Sequence, residues 1–510
     1  MDQTLDIRLD ASNEQPLYAQ IVDELRARIR SGALPPGTRL PPTRTLARAL
    51  ATHRNTVVRA FEELTEMGLI SGHVGRGSYV RDSGGRDALV APTPEPEQEP
   101  PWSSLLSRAV QAEPLRRMQR FSGSAPSGAI NLARMQPSPD LIPHDAFRRC
   151  LDHVLKTLGP EALAYAPSQG LERLRELIAA DLGQNGIHAS PDDVIITSGS
   201  QQAFDVIART LVNPGDVFLT EARTYSGALN ILAASGAEVV GIPGDDEGPS
   251  IDAAQRTTGH VPGRLKGFYL MPNSRNPTGT SISTPRREAL VAWARKERVP
   301  LVEDDYGADL VLDDAAPRLP ALRALAPEVL HLGTFSKKLM PALRVGFIVC
   351  PPALRGPLTS LKHAMDLGTS AVLQHALAEF LDRGLLRAHL KTVCAAYRER
   401  RDVLAEALTK HLPREVTFKV PDRGVVLWLA LPPEIDAEAA YQIARLDGVM
   451  VSPSTVYSTL SPLPTGLRLT FCNESPERLR EGARRLGRAL ASLTGKRGRG
   501  RTTENELLGV

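Results

Sequence analysis

A run of proline and acidic residues divides this chain into a small N-terminal part and a large C-terminal part. The run covers residues 82–101, where Ser83, Gly84 and Gly85 precede a stretch dominated by proline and glutamate. Proline lacks an amide donor and the glutamates repel one another, so this stretch can form neither a helix nor a central strand. We therefore predict an extended linker over residues 82–104, with a folded unit on each side of it.

The composition is that of a globular chain. Of the 510 residues 42% are hydrophobic and 23% are charged, which is enough to bury more than one core. No apolar run approaches the length of a membrane span, and the acidic start does not resemble a signal peptide. The four cysteines form no CxxC pair, which argues against a zinc site or a disulfide framework. We expect a cytoplasmic protein with no metal and no membrane partner.

Residues 1–81 show the pattern of three helices followed by a β-hairpin. Apolar residues recur every four positions in the first predicted helix, at Leu17, Ile21, Leu25 and Ile29. Thr43 can cap a second helix, and a third runs from about residue 55 to residue 67. The chain then alternates apolar and polar residues on both sides of a glycine-rich turn at residues 75–77. Together these elements predict a winged helix-turn-helix.

This N-terminal part is strongly basic, although the whole chain carries a net charge of only +3. Residues 26–81 contain ten arginines, no lysine and three acidic residues, a net charge of +7. Such a concentration indicates contact with DNA phosphates, and the guanidinium fork also suits guanine edges. The candidate DNA-binding residues are Arg44, Arg54, Asn55 and Thr56 at two helix starts, and Arg76 on the wing. A solvated basic face on a protein-binding domain is the alternative.

Three groups of residues in this part resemble the DNA-binding domain of the GntR family of transcriptional regulators. They are Pro16-Leu17-Tyr18 with Gln20-Ile21; Gly32, Leu34 and Pro36-Gly37 with Arg39-Leu40-Pro41; and Arg54-Asn55-Thr56-Val57-Val58-Arg59-Ala60-Phe61 with Leu64. The resemblance implies binding to double-stranded DNA. One departure is His53, where many members carry a serine that can cap the recognition helix.

Residues 105–495 alternate strand patterns with helical ones, which indicates an α/β domain with a mostly parallel sheet. Strands are predicted at residues 194–197, 217–220, 267–271 and 300–303, and a helix at residues 201–211. Ligands of such sheets bind at the carboxyl ends of the strands. Residues 198–201 lie between the first strand and this helix, where amide groups and the helix dipole can hold a phosphate. An ordinary glycine turn is the alternative.

Four further motifs, taken with this turn, resemble the fold-type-I aminotransferases, which use pyridoxal 5'-phosphate. They are Asn276-Pro277-Thr278-Gly279; Asp304-Asp305-Tyr306; Thr334-Phe335-Ser336-Lys337 followed by Arg344; and Arg468-Leu469-Thr470-Phe471. The resemblance implies an α/β pyridoxal-phosphate transferase fold with a small C-terminal α+β subdomain.

The resemblance also implies roles for these side chains. Lys337 would form the Schiff base with the cofactor aldehyde, and Asp304 would pair with the pyridine nitrogen. The neighbours Lys338 and Asp305 are the alternatives for these two roles. The other implied cofactor contacts are Tyr306 and Asn276 at the phenolic oxygen, Tyr225 on the ring face, and Ser200, Gln201, Ser336 and Arg344 at the phosphate.

Two more residues are implied to act at the edge of this site. Tyr165 would reach the phosphate from a partner subunit, which implies a homodimer. Arg468 would hold a substrate carboxylate. The alternatives are a plain core aromatic for Tyr225 and a surface arginine for Arg468.

A winged helix joined by a linker to an aminotransferase-like domain resembles the MocR subfamily of GntR regulators. This implies a transcriptional regulator in which residues 1–81 bind DNA, residues 105–495 bind pyridoxal phosphate and residues 496–510 form a basic, polar tail. We expect it to sense an amino compound, or the cofactor itself, through aldimine chemistry at Lys337. A working aminotransferase with an appended DNA-binding domain is the rival hypothesis, because all the residue types needed for transamination are present.

Overall fold

The computed structural model describes residues 7, 9, 15–31, 33–73, 77–81, 100–121, 128–261, 265–459 and 465–494. The chain divides into an N-terminal unit, Met1–Trp102, and a C-terminal unit, Ser103–Val510. The wing residue Arg76, residues 82–99 of the predicted linker and the predicted tail at residues 496–510 lie outside the described residues.

The described part of the N-terminal unit consists of three helices and an antiparallel hairpin. The elements are α1 (Leu17–Arg30), α2 (Thr43–Ala49), α3 (Arg54–Glu66), β1 (Ile70–His73) and β2 (Gly77–Val80). In the hairpin Ile70 pairs with Val80, and both side chains are buried. The predicted winged helix-turn-helix is therefore confirmed, and its helix ends lie within two residues of those expected.

One apolar core holds this unit together. The side chains that are fully or almost fully buried include Ile21, Leu25, Leu46, Val57, Ala60 and Leu64. They come from α1, α2 and α3, at the positions that the helical period predicted. The opposite face of each helix is left for charged residues, as a DNA-binding surface requires.

The helix caps differ from the prediction. The residue before α2 is Pro42, and Thr43 is already the first helical residue and makes no capping hydrogen bond. The prediction of a Thr43 cap was wrong because Pro42 supplies the extended residue at which the helix starts. His53 precedes α3 with extended backbone and likewise makes no side-chain cap. Both helices of the helix-turn-helix therefore begin with uncapped amide groups.

The remaining described elements begin at Trp102. The helices are α4 (Trp102–Leu105), α5 (Glu113–Arg120), α6 (His144–Leu158), α7 (Glu172–Gln184), α8 (Ser200–Leu211), α9 (Ser226–Ala234), α10 (Ile251–His260), α11 (Thr284–Glu297), α12 (Leu322–Leu325), α13 (Pro352–Asp366), α14 (Ala371–Asp382), α15 (Leu385–His411), α16 (Ala437–Leu446) and α17 (Pro476–Thr494). The strands are β3 (Ile130–Asn131), β4 (Val194–Thr197), β5 (Val217–Glu221), β6 (Glu238–Ile242), β7 (Gly244–Asp245), β8 (Gly248–Pro249), β9 (Leu265–Leu270), β10 (Leu301–Asp305), β11 (Leu330–Thr334), β12 (Gly346–Val349), β13 (Thr417–Phe418), β14 (Val426–Ala430), β15 (Val449–Met450), β16 (Ser452–Pro453) and β17 (Gly466–Thr470).

A mixed sheet of seven strands, counted over the described residues, forms the centre of the C-terminal unit. Its strand order is β4-β12-β11-β10-β9-β5-β6. β12 runs antiparallel to β11 and β4, and the other neighbouring strands are parallel. The mostly parallel α/β sheet is thus confirmed. The carboxyl ends of β4, β9, β10 and β11 meet at one edge, which collects the polar motifs that follow them.

A smaller α+β subdomain follows this sheet in the chain. Within the described ranges its sheet has the order β13-β14-β17-β16, and each neighbouring pair is antiparallel. β3, near the start of the unit, pairs with β15 of this subdomain. The residues that follow β3 are therefore fixed beside β17, the strand that carries Arg468.

No helix in the described residues is both long enough and apolar enough to cross a membrane.

Replacing Gly333 tests the packing of β11 on β12. A Cβ at Gly333 would lie 2.1 Å from Cζ of Phe347, its cross-strand partner. We expect Gly333→Ala to lower the free energy of unfolding of the C-terminal unit by about 1–3 kcal/mol, because the buried ring must shift. The measurement is urea denaturation of the full chain followed by circular dichroism.

The matched control is Gly259→Ala in α10, where a Cβ would meet nothing within 4 Å. Alanine there should be neutral or stabilising, since it favours a helix. Equal urea midpoints for Gly333→Ala and the wild type would contradict the packing described.

Candidate functional site

Lys337 lies at the centre of the polar groups that the sheet edge collects. Its amine donates a hydrogen bond to the main-chain oxygen of Met135. Burial lowers the pKa of Lys337, and the nearby cations Arg468 and Arg344 add to this, while Asp304 opposes it. A larger share of this amine is therefore neutral near pH 7 than for a lysine in water, and a neutral amine is the nucleophilic form.

Its neighbour Lys338 faces a different environment. Lys338 is buried and forms an ion pair with Asp309. Burial alone would lower the pKa of Lys338, but Asp309 and Asp181 outweigh it and raise the pKa above its usual value. This lysine is held as a cation by a fixed partner. Of the two adjacent lysines, Lys337 is the one that can act as a nucleophile.

The two adjacent aspartates of β10 differ in their hydrogen-bond partners. The Oδ2 atom of Asp304 accepts a 2.6 Å hydrogen bond from the hydroxyl of Tyr269. Its Oδ1 atom is buried and has no hydrogen-bond partner among the described residues. Burial raises the pKa of Asp304 to about 6. A buried acceptor without a donor is costly, so Asp304 is arranged to receive a donor from a ligand.

Asp305 is already satisfied by the protein. Its carboxylate accepts hydrogen bonds from the amide of Asn273 and from the backbone N–H of Ala308. Successive side chains of a strand point to opposite faces of the sheet, so Asp305 points away from the face that Asp304 uses. The geometry thus favours Asp304 over Asp305 as the group that meets a ligand.

Sequence reasoning missed Tyr269, which holds Asp304. A tyrosine inside an apolar strand has the pattern of a core residue, and Tyr269 is indeed fully buried. The signal that could have found it is its place next to Val302 on the neighbouring strand, two residues before Asp304. Burial first, and then Asp304, raise the pKa of Tyr269 well above its usual value. Its hydroxyl therefore stays protonated and donates to the carboxylate.

The turn between β4 and α8 packs against Arg344. A guanidinium nitrogen of Arg344 donates a 2.7 Å hydrogen bond to the main-chain oxygen of Ser198. Gly199, which precedes α8, has a φ of 86°, and a Cβ there would lie 2.8 Å from the same guanidinium nitrogen. Only glycine allows this approach. A cation is thus placed beside the N-terminus of a helix, where amide groups also favour an anion.

Ser200, Gln201 and Ser336 were predicted to join this anion site. Ser200 and Gln201 are the first two residues of α8, so they lie at its amide end. Ser336 accepts a 3.1 Å hydrogen bond from the hydroxyl of Thr334, which leaves its own hydroxyl proton available to a ligand.

Three more predicted residues are partly engaged by the protein. The Tyr225 hydroxyl donates to Oε1 of Gln201 at 3.0 Å, and burial raises the pKa of Tyr225 to about 12. The Tyr306 hydroxyl donates to the main-chain oxygen of Ser274 at 2.6 Å. Asn276 is buried, and its Oδ1 atom has no partner in the described part of the chain. Tyr225 is only half-buried, unlike a plain core aromatic.

Arg468 is not a surface arginine, because only 8% of it is exposed. One terminal nitrogen of its guanidinium lies 2.8 Å from the sulfur of Met135, and the other donates to the main-chain oxygen of Ala133. Its Nε atom has no partner among the described residues. The arginine predicted to bind a carboxylate therefore contacts the segment after β3, as Lys337 does, and one of its buried nitrogens has no hydrogen-bond partner there.

The N-terminal unit exposes most of the residues predicted to bind DNA. Arg44, Arg54 and Asn55 are exposed, and Thr56 is half-buried. Arg59, also on α3, lies over the ring of Tyr18 at 3.9 Å. The N-terminal end of α3 thus presents one guanidinium and one amide to a partner.

Two protein families match the two units of this chain. Residues 17–80 match the bacterial regulatory proteins of the gntR family, and residues 130–486 match aminotransferase class I and II. The second match covers more than half of the chain. This chain belongs to the aminotransferase class I and II family and carries a GntR-family domain.

Relatives share this two-part architecture. The uncharacterized HTH-type transcriptional regulator YisV of Bacillus subtilis is 31% identical over 448 residues, 87% of this chain and 90% of that protein. The probable rhizopine catabolism regulatory protein MocR of Rhizobium meliloti is 29% identical and covers 95% of this chain and 96% of its own length. The crystal structure of LysN, the α-aminoadipate aminotransferase of Thermus thermophilus, superposes with a TM-score of 0.70 at 31% identity, covering 77% of this chain and 99% of that one. This chain is a MocR-type regulator of the GntR family by its architecture.

The buried carboxyl of Asp304 predicts a pH-dependent cost in stability. Folded Asp304 keeps its proton up to about pH 6, whereas an unfolded aspartate loses it near pH 3.9. Stability is therefore lost as the pH rises through about 6. Asp304→Asn removes this loss and can still accept from Tyr269. We expect the cofactor-free variant to be more stable than the wild type by about 1–3 kcal/mol at pH 8.

The measurement is urea denaturation of both cofactor-free proteins from pH 4 to pH 8. The difference in free energy of unfolding should grow between pH 4 and pH 6 and stay level above that range. A difference that is the same at every pH would show that the burial of Asp304 does not set it.

Proposed function

We propose that this GntR-family regulator binds DNA through its winged helix and senses a carboxylate-bearing amine through its pyridoxal-phosphate domain. The observation that carries the proposal is the site itself. The buried amine of Lys337 lies within electrostatic range of Asp304, whose Oδ1 atom has no partner among the described residues, and the same chain carries an exposed recognition helix. We place the protein in the cytoplasm, where its DNA target lies.

The residues present fit pyridoxal 5'-phosphate, the cofactor of this family. The free Oδ1 atom of Asp304 is a buried acceptor suited to a protonated ring nitrogen. A phosphate dianion needs a fork-shaped cation and amide donors. Arg344 supplies the cation, and the start of α8 beside it supplies the backbone amides. When bound, the cofactor supplies an aldehyde that condenses with amines and a ring that accepts electrons.

The chain's own residues would then divide the work of recognition. Lys337 would present the reactive amine, whose pKa is lowered by burial and by two nearby arginines. Asp304 holds a proton at the ring nitrogen, and Tyr269 fixes the orientation of that carboxylate. Arg344 binds the phosphate, assisted by Ser200, Gln201 and Ser336. Tyr225 would cover the ring face, Asn276 and Tyr306 would serve the phenolic oxygen, and Arg468 would bind the carboxylate of the incoming amine.

Two copies of the chain would complete the site. Tyr165 is 87% exposed, and the apolar side chains of Leu163 and Leu367 are exposed as well. The hydroxyl of Ser168 donates to the main-chain oxygen of Leu367, which places these segments side by side. An exposed apolar patch of this kind is typical of an interface. We propose a homodimer in which Tyr165 reaches the phosphate of the partner subunit.

A ligand changes DNA affinity only if it binds two states of the protein with different affinities. We propose that an amine at Lys337 shifts the C-terminal unit between two such states. The linker then passes the change to the paired N-terminal units.

Transamination is the second candidate function. Lys337, Asp304 and Asn276, which it needs, follow or end strands at one edge of the central sheet, and Arg468 on β17 contacts the same Met135 as Lys337. LysN is named as an aminotransferase. A third candidate, sensing of the cofactor alone, uses the same residues without Arg468.

The DNA-binding part of the proposal is tested at Arg54. Arg54→Ala removes an exposed guanidinium from the start of α3, and we expect DNA affinity to fall by about 1–3 kcal/mol. The measurement is fluorescence anisotropy of labelled DNA from upstream of the gene. Arg26→Ala is the matched control, because Arg26 is paired with Asp23 on α1 and should matter less. Equal losses for both variants would point to non-specific charge alone.

The sensing part is tested with Lys337→Ala. DNA affinity of the wild type should change when the cofactor is present and an amino acid is added, whereas the affinity of Lys337→Ala should not respond. An identical response of the two proteins would contradict sensing at Lys337. A response to the cofactor alone would favour the third candidate, and repeated turnover of amino groups without any effect on DNA would favour transamination.

A further inference from the structure

The segment that follows β3 crosses the site and is tied to the C-terminal subdomain on both sides. The backbone N–H of Leu132 donates to the main-chain oxygen of Met450 at 2.9 Å, and the N–H of Thr470 donates to that of Leu132 at 2.7 Å. The Thr470 hydroxyl donates to the main-chain oxygen of Arg134 at 3.1 Å. Met135 comes next in the chain, so its position is set by β17.

Met135 touches the site at three points. Its main-chain oxygen accepts from Lys337, and its sulfur lies 2.8 Å from a terminal nitrogen of Arg468. The same sulfur lies 3.6 Å from the side-chain nitrogen of Asn276. The methionine side chain therefore fills the space between the arginine and the asparagine.

A thioether is a poor partner for a buried cation. Sulfur accepts hydrogen bonds only weakly, and the Nε atom of Arg468 has no partner among the described residues. A carboxylate would instead offer Arg468 two charged oxygens in a matched fork. Arg468 gains more from an anionic ligand than from the methionine sulfur that it contacts here.

We propose that Met135 is a specificity-determining residue, whose side chain a carboxylate-bearing amine must displace from Arg468. The inference rests on the proposed function, because it takes Lys337 and Arg468 as the groups that meet the amine and the carboxylate. An amino acid carries both groups on one carbon, so its binding free energy includes the cost of moving the methionine side chain. A simple amine has no carboxylate and does not compete for Arg468.

The side chain and the backbone of Met135 can be separated by mutation. Every residue keeps the main-chain oxygen that Lys337 contacts, so Met135→Ala removes the side chain beyond Cβ and leaves that contact available. Met135→Leu keeps most of the volume but replaces the linear thioether with a branched hydrocarbon. Met118→Ala is the control, because Met118 is half-exposed and its sulfur contacts Asn230 instead.

The test is isothermal titration calorimetry on the cofactor-loaded full chain. The probes are three amino acids with the amines that lack their carboxylate: L-leucine with 3-methylbutylamine, L-phenylalanine with phenethylamine, and L-lysine with 1,5-diaminopentane. For Met135→Ala we expect the Kd of the amino acids to fall about fivefold, which corresponds to ~1 kcal/mol. Met135→Leu should show a smaller fall, and Met118→Ala and all the simple amines should show none.

Oxidation of Met135 supplies a second readout that does not depend on activity. Dilute hydrogen peroxide converts an accessible methionine to its sulfoxide, which peptide mass spectrometry detects. A bound amino acid should change the oxidation rate of Met135 in the wild type and leave that of Met118 unchanged. The simple amines should change neither rate.

The outcomes separate this inference from the proposed function. If the wild type binds the amino acids and Met135→Ala binds them with the same Kd, the inference is overturned and the proposed function stands. If the amines gain as much as the amino acids, Met135 is only a steric barrier and the inference is overturned. If the wild type binds no amino acid and no amine, both fail.

Discussion

The burial of Asp304 at the end of β10 is the constraint on which the site depends. A carboxylate at that depth loses its hydration, and Tyr269 returns only one of the hydrogen bonds that water would supply. A ligand that donates to the free oxygen would offset this cost. Burial raises the pKa of Asp304 and lowers that of Lys337, so both groups are perturbed in the directions typical of a functional site.

The opposite face of the same strands carries the charges that the site cannot use. Glu303 accepts hydrogen bonds from the backbone N–H groups of Leu322 and Arg323 and from the ring of His331. Lys338 is paired with Asp309 in the same part of the sheet. Each of these groups has a fixed partner, which makes them structural. Side chains alternate between the two faces along β10, so Asp304 and Glu303 have different partners. After β11, Lys338 has a fixed ion-pair partner, and its neighbour Lys337 has none among the carboxylates described.

Regulation requires that a small change at this site reach the DNA. The N-terminal unit has its own apolar core, which includes no residue of the C-terminal unit. In the proposed homodimer, a ligand would act by altering the distance and orientation between the two copies of that unit. Met135 bears on this step, because it joins the ligand site to β17 and the subdomain that holds it.

The sequence alone determined the order of elements, the winged helix, the mostly parallel sheet and most of the polar residues at its edge. Periodicity and strand-end motifs are local, so they can be read without coordinates. It favoured Lys337 over Lys338 and Asp304 over Asp305 only through the family resemblance, and local pattern did not separate them, because neighbours in sequence share every local signal. Nor did it identify Tyr269, which has the pattern of a core residue, or Met135, which lies more than 300 residues from Arg468 in the chain. Only the tertiary structure shows the burial and hydrogen-bond partners that distinguish these residues, since the partners come from strands that are distant in sequence and adjacent in space.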